Sequence, residues 1–193
     1  LPGTCDWIGT NTAFLKWNES SSTSISGRLL CISGTHGCGK TILASSIIEH
    51  LKSIQRQTIF FYFSGKNAGL KSLDGIVRTF LWQLLEEATD ERTIELINNF
   101  MLRGPPAVTD LVHVLKDMAA LMANPVYCVI DGVDEYIDEY NDSIHDLLQL
   151  VRGLLDANSN FRVVLLGRQH VLQPHILHAV IGGTPERIDI SSD

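Results

Sequence analysis

Short apolar runs alternate along this chain with longer stretches in which apolar residues recur every three or four positions. Five short segments read as strands of a parallel sheet. They fall at 28–33 (Arg28-Leu29-Leu30-Cys31-Ile32-Ser33), 58–63 (Thr58-Ile59-Phe60-Phe61-Tyr62-Phe63), 126–131, 161–166 and 187–190. Helical spacing appears at 41–51 through Ile42, Leu43, Ile47, Ile48 and Leu51. It is clearest in Leu73, Ile76, Val77, Phe80, Leu81, Leu84, Leu85 and Ala88. Weaker helical patterns cover 91–102 and 109–122, separated by Gly104-Pro105-Pro106. A further helix uses Ile144, Leu147, Leu148, Val151, Leu154 and Leu155, with Ser143 as its N-cap. Strands alternating with helices predict an α/β fold, one parallel sheet with helices on both faces. Residues 1–27 differ. Thr12–Trp17 reads as a short helix with Phe14 and Trp17 three apart, and Ser20–Ser26 as a polar connector.

Between the first strand and the first long helix stands Gly34-Thr35-His36-Gly37-Cys38-Gly39-Lys40-Thr41, which fits G-x-x-x-x-G-K-[ST] without a mismatch. Such a loop curls its backbone N–H groups around phosphate oxygens and delivers them to a helix N-terminus. Lys40 is the mobile positive charge for the β- and γ-phosphates, Thr41 the hydroxyl for Mg²⁺, and Ile42 closes the nucleotide-binding stretch. A nucleoside triphosphate is therefore the expected ligand.

Tyr127-Cys128-Val129-Ile130-Asp131-Gly132-Val133-Asp134-Glu135 is an apolar strand ending in clustered carboxylates. A hydrated Mg²⁺ on a nucleotide needs such an acid at the C-terminal edge of a neighbouring strand. Asp131, the first acid after the apolar run, matches that role. Glu135 is the candidate to orient or deprotonate an attacking water, and Asp134 can share either task. The bland reading makes Asp134 and Glu135 the start of a solvated loop, acidic through Asp138, Glu139 and Asp142. Phe161-Arg162-Val163-Val164-Leu165-Leu166-Gly167-Arg168 ends on a base where ligands meet such sheets. Arg168 is placed either to sense the terminal phosphate or to form a surface ion pair.

At 193 residues the chain suits one domain with a substantial core, and 45% apolar residues argue against disorder. A net charge of −7 with no Lys/Arg-dense patch gives no electrostatic reason to expect nucleic acid. No apolar stretch is long enough to span a bilayer, and the start has no signal-like pattern. Of four cysteines, Cys5, Cys31, Cys38 and Cys128, none pair at metal-ligand spacing, and Cys31 and Cys128 lie in apolar strands. That usage favours a reducing, cytoplasmic setting. The chain starts without Met and ends just after its last strand, as a piece of a longer polypeptide would.

Three features together resemble the NACHT domain of STAND-class signalling NTPases: the phosphate loop, the Asp131-Gly132-x-Asp134-Glu135 cluster and the strand ending in Arg168. Leu1-Pro2-Gly3-Thr4-Cys5-Asp6-Trp7-Ile8, with Phe14 and Trp17, is similar to the segment before that domain in fungal proteins of the heterokaryon-incompatibility type. The resemblance covers nearly the whole chain and divides it into a preceding segment, 1–27, and a NACHT domain, 28–193. It implies an ASCE-type P-loop fold with five parallel strands in the order 5-1-4-3-2. It further implies ATP or GTP with Mg²⁺, slow hydrolysis, and a switch between a closed resting state and an oligomer. Flanking effector and repeat domains are expected in the full-length protein, with a winged-helix region beyond residue 193. Gly183-Thr184-Pro185 precedes the last strand and so is not the family's later Gly-x-Pro contact. The competing readings are a nucleotide-holding scaffold that never hydrolyses and a small-molecule kinase. The acidic stretch 136–142 disfavours the kinase, which wants a basic lid.

Overall fold

A computed structural model describes residues 5–19, 23–67, 70–87, 91–93, 95–96, 106–122, 124–136 and 144–190. The expected N-cap Ser143, and most of the helix expected at 91–102, lie outside them; 91–93 and 95–96 are helical.

The strands are β1 (Leu29–Gly34), β2 (Gln57–Tyr62), β3 (Val126–Asp131), β4 (Phe161–Gly167) and β5 (Glu186–Ile190). They form one sheet in the order β2-β3-β4-β1-β5, every neighbouring pair parallel. The described helices are α1 (Thr12–Glu19), α2 (Lys40–Ser53), α3 (Leu73–Glu87), α4 (Val108–Leu121), α5 (His145–Ala157) and α6 (Pro174–Ile181).

The continuous apolar runs have a simple cause: the inner strands β1, β3 and β4 are buried on both faces, while the edge strands β2 and β5 are buried only in part. Successive side chains point to opposite sides. Leu29, Cys31, Ile59, Phe61, Cys128, Ile130, Val163 and Leu165 therefore join one core cluster, with apolar residues of α3, α4, α5 and α6. Leu30, Ile32, Tyr127, Val129, Val164, Leu166 and Ile188 join a second cluster with α1 and α2. Phe14 and Trp17 are fully buried in that second layer. Trp17 stacks edge-on against Tyr127 at 5.5 Å and donates its indole N–H to Arg28 O at 3.1 Å. Arg162 returns a bond to Trp17 O at 2.9 Å. The opening segment is thus fastened to the middle of the sheet.

Three expectations need correction. Arg28 is not in β1; it closes a 3-10 turn at Ser26–Arg28, and its buried guanidinium donates to Asn158 O at 2.8 Å. Burial lowers its pKa, with the Arg162 charge adding to the effect. Ile42 does not share the buried face of α2 with Leu43, Ile47 and Leu51; it is 59% exposed, because the i, i+4, i+8 stripe through Leu43 turns it outward. Leu85 likewise stands at the exposed margin of α3, beside an exposed Trp82.

Register places the functional edge. Ser33 lies beside Gly167, Gly34 beside Ile190, and Tyr62 beside Asp131. All five strands end together, so loops from distant parts of the chain converge at one rim.

Candidate functional site

The phosphate loop leaves β1 at Gly34 and enters α2 at Lys40. Its curl needs left-handed backbone at Gly37 (φ 79°) and Gly39 (φ 89°), which only glycine adopts freely. Gly39 is also the N-cap of α2, so the helix N-terminus opens toward the loop's concavity. The Lys40 ammonium donates to Gly34 O at 3.0 Å and Thr35 O at 2.7 Å. These are exchangeable partners for a flexible cation, and a polyphosphate oxygen would replace them.

The acidic strand contributes the opposite wall. As the strand order implied by the resemblance requires, β4 lies between β1 and β3. The separation is bridged by α2, which packs across β3. Thr41, on the first turn of α2, thereby donates its hydroxyl to Asp131 Oδ2 at 2.6 Å. Asp131 is buried, and burial raises its carboxyl above the ordinary range. The Thr41 hydroxyl, the Gly132 amide and the Lys40 charge oppose that shift, while Asp134 adds to it. Gly132 turns the chain with φ 71°, and a Cβ there would lie 3.0 Å from Phe63 O, so a side chain is both strained and crowded.

A hydroxyl and a carboxylate held together are hard oxygen donors suited to Mg²⁺, which takes few protein ligands and completes its shell with water and phosphate. The residues present therefore fit the implied ion. Among the described residues no group of three or more His, Cys, Asp or Glu is clustered to hold a metal.

Asp134 is drawn in from solvent, whereas Glu135 is exposed at the start of the loop. The Asp134 side chain is 8% exposed, meets Arg168 Nε at 2.8 Å and accepts the Arg168 amide at 3.1 Å. Arg168 therefore forms an ion pair, but inside the site, and its Nη2 reaches 3.4 Å from His36 Nδ1 of the phosphate loop. Glu135 Oε2 accepts the Gly65 N–H at 2.8 Å. Together these walls enclose a cleft of about 360 Å³, bordered by His36, Lys40, Thr41, Asp131, Glu135 and Arg168 among others. Ile42 borders it too, which gives its exposure a use.

Two participants escaped the sequence reading. Tyr62 lines the cleft from the end of β2, with its hydroxyl 3.1 Å from Ser45 Oγ of α2. Gly65 supplies an amide from the turn beyond β2. The alignment of strand ends, which put the C-terminus of β2 at the same rim, was the available signal. Of the cysteines, Cys38 is half-buried in the loop. Burial pushes Cys31 up to about 12 and Cys128 well above the ordinary thiol range, so both behave as small apolar core residues. Among the described residues no helix is long and apolar enough to cross a membrane.

Comparison with known proteins agrees with this geometry. The family model described as Nephrocystin 3, N-terminal, matches residues 3–168. The vegetative incompatibility protein HET-E-1 of Podospora anserina is 23% identical over 173 residues, which are 84% of this chain and 12% of that protein. The chain thus spans about an eighth of the length of that relative.

Among solved structures, Orc1 of Aeropyrum pernix in complex with DNA superposes with a TM-score of 0.59 at 11% identity. The match covers 92% of this chain and 42% of that one. Cdc6p of Pyrobaculum aerophilum gives 0.55 at 14% identity, over 84% of this chain and 38% of that one. A Walker-type ATPase of Pyrococcus abyssi gives 0.52 at 13% identity, over 92% and 52%. At such identities the likeness is one of fold. The chain belongs to the nephrocystin 3 N-terminal family, a NACHT-associated group, and carries it on a P-loop ATPase fold with the strand order that the NACHT resemblance implied.

Proposed function

We propose that this chain is a Mg²⁺-dependent nucleoside-triphosphate-binding module that hydrolyses ATP or GTP slowly and whose nucleotide state sets self-association of the full-length protein. The observation that carries the reading is the meeting of Thr41 and Asp131, from opposite walls of the cleft, at 2.6 Å beside Lys40. Phosphoryl transfer needs chiefly positioning and charge neutralisation. The loop amides and Lys40 bind and orient the phosphates, Thr41 and Asp131 hold the ion, and Glu135 aligns or deprotonates the water. Mg²⁺ held there would supply positive charge to offset the negative charge of the phosphates. Arg168, already between Asp134 and His36, changes partner when a terminal phosphate arrives or leaves. Relation to a vegetative incompatibility protein supports a cytoplasmic signalling role of the incompatibility or cell-death kind, with effector and repeat domains flanking the module.

The test is calorimetric titration with ATP, GTP and their diphosphates, with and without Mg²⁺, followed by phosphate release on the same material. Saturable binding strengthened by Mg²⁺ is expected for the triphosphate, with slow release above background. A folded chain that gives no heat with any of the four would overturn the reading. Binding without release would leave the nucleotide-holding scaffold.

A further inference from the structure

The three acids at and after the end of β3 are held by three different kinds of group. Asp131 has a side-chain hydroxyl and Asp134 an ion pair, but Glu135 is held by a main-chain N–H, that of Gly65, seventy residues earlier in the chain. Several contacts make that bond a built feature. Pairing between β2 and β3 continues past the last strand residue, with Phe63 N–H donating to Asp131 O at 2.9 Å. The rings of Phe63, two residues before Gly65, and Tyr136, the residue after Glu135, meet edge-on at 5.5 Å. The turn beyond is closed on itself, with Ser64 N–H to Leu70 O at 2.7 Å and Asn67 N–H to Ser64 O at 3.1 Å. The donor is therefore fixed to the sheet before Glu135 reaches it.

From this geometry we infer that the Gly65 amide is a positioning group for Glu135, so that the turn at residues 64–67 governs hydrolytic competence in the cleft. The inference rests on the proposed role of Glu135 in aligning water. A Glu side chain has three rotatable bonds and, left alone, spreads over many rotamers. Committing Oε2 to Gly65 restricts those bonds and leaves Oε1 to accept a hydrogen bond from water at the cleft wall. No side chain is needed at position 65. A Cβ there would stand 3.7 Å from Glu135 Oε2, an ordinary contact, so alanine fits and keeps the donor. Proline removes the donor altogether.

The experiment compares Gly65→Pro and Gly65→Ala with the parent for nucleotide Kd, kcat and KM of phosphate release. Gly65→Pro is expected to lower kcat roughly 10- to 100-fold while Kd moves by less than about threefold, and Gly65→Ala to restore most of the loss. In a Glu135→Gln background, Gly65→Pro should cost nothing further. A purely structural role would instead weaken Kd and add to Glu135→Gln. Either of those results, or a Gly65→Pro chain that turns over as fast as the parent or faster, overturns the inference. A parent that binds nucleotide but releases no phosphate removes the hydrolytic reading beneath it, a different and separately visible failure. Should Gly65→Pro not fold, the Gly65 amide proton resonance decides. It should move upfield in Glu135→Ala, which removes the acceptor, by more than its neighbours do, and an unmoved resonance overturns the bond itself.

Discussion

The phosphate-loop wall and the acidic wall of the cleft are made by opposite means. On the first, every contributing group comes from contiguous residues, 34 to 42, and the shape is dictated locally by left-handed glycines ahead of a helix. On the second, Asp131, Asp134 and Glu135 find their partners 90, 34 and 70 residues away, at Thr41, Arg168 and Gly65. A local wall depends on few residues and binds through backbone. An assembled wall depends on sheet register and aims charged side chains. Damage to the first should therefore appear as lost affinity, and damage to the second as lost chemistry or lost coupling to the ion.

The largest effect expected is on the local wall. Lys40→Ala should weaken triphosphate binding roughly 1000-fold, since it removes the one mobile cation of the loop; titration calorimetry reads it directly. Next comes Glu135→Gln on the assembled wall, with turnover falling about 100-fold or more and affinity nearly unchanged. Equal turnover in Glu135→Gln and the parent would take Glu135 out of the chemistry and blur the contrast between the walls.

Asp131→Asn sharpens the contrast in two readouts. The strengthening of nucleotide binding by Mg²⁺ should shrink by about tenfold, because the amide is a weaker ion ligand than the carboxylate. The nucleotide-free chain should meanwhile melt about 2–4 °C higher, as a buried charge is removed. The pH dependence follows in sign. Burial raises the Asp131 carboxyl in the folded chain, so the folded state keeps its proton to higher pH than the unfolded one. This group's contribution to stability therefore declines as pH climbs from the unfolded to the folded value, and stays at the lower level above it. Asn should abolish that decline in thermal melts across the carboxylate range.

The smallest effect is a footprint. Alkylation at neutral pH should modify half-buried Cys38 and leave Cys31 and Cys128 untouched, because burial holds those two thiols protonated. Nucleotide with Mg²⁺ should slow the Cys38 reaction several-fold by covering the local wall. A Cys38 reaction rate that nucleotide leaves unchanged would place the ligand elsewhere.

Much of this was legible in the linear chain because the inner strands are buried on both faces. A short continuous apolar run such as Tyr127–Ile130 suits a strand covered on both sides, and each run ended within a residue or two of its expected place. Arg28 was misplaced because a guanidinium at the head of an apolar run looks like a strand residue until its carbonyl partners are known. Ile42 was misplaced because spacing alone cannot say which side of a helix is free when a cleft lies beside it. Gly65 and Tyr62 carried no local mark at all. A glycine amide or a strand-end tyrosine acquires meaning only from what the sheet sets opposite.

The amino-acid order alone decided the α/β class, the two-faced burial of the inner strands and the phosphate loop with its lysine. Each depends on interactions between residues a few positions apart, so periodicity and glycine placement suffice to specify it. Tertiary structure decided that Thr41 meets Asp131 across an intervening strand, that Arg168 pairs with Asp134, and that a turn near residue 65 holds Glu135. Those meetings depend on which strand lies beside which and in what register, and that choice is made by the packing of two apolar layers over the whole chain.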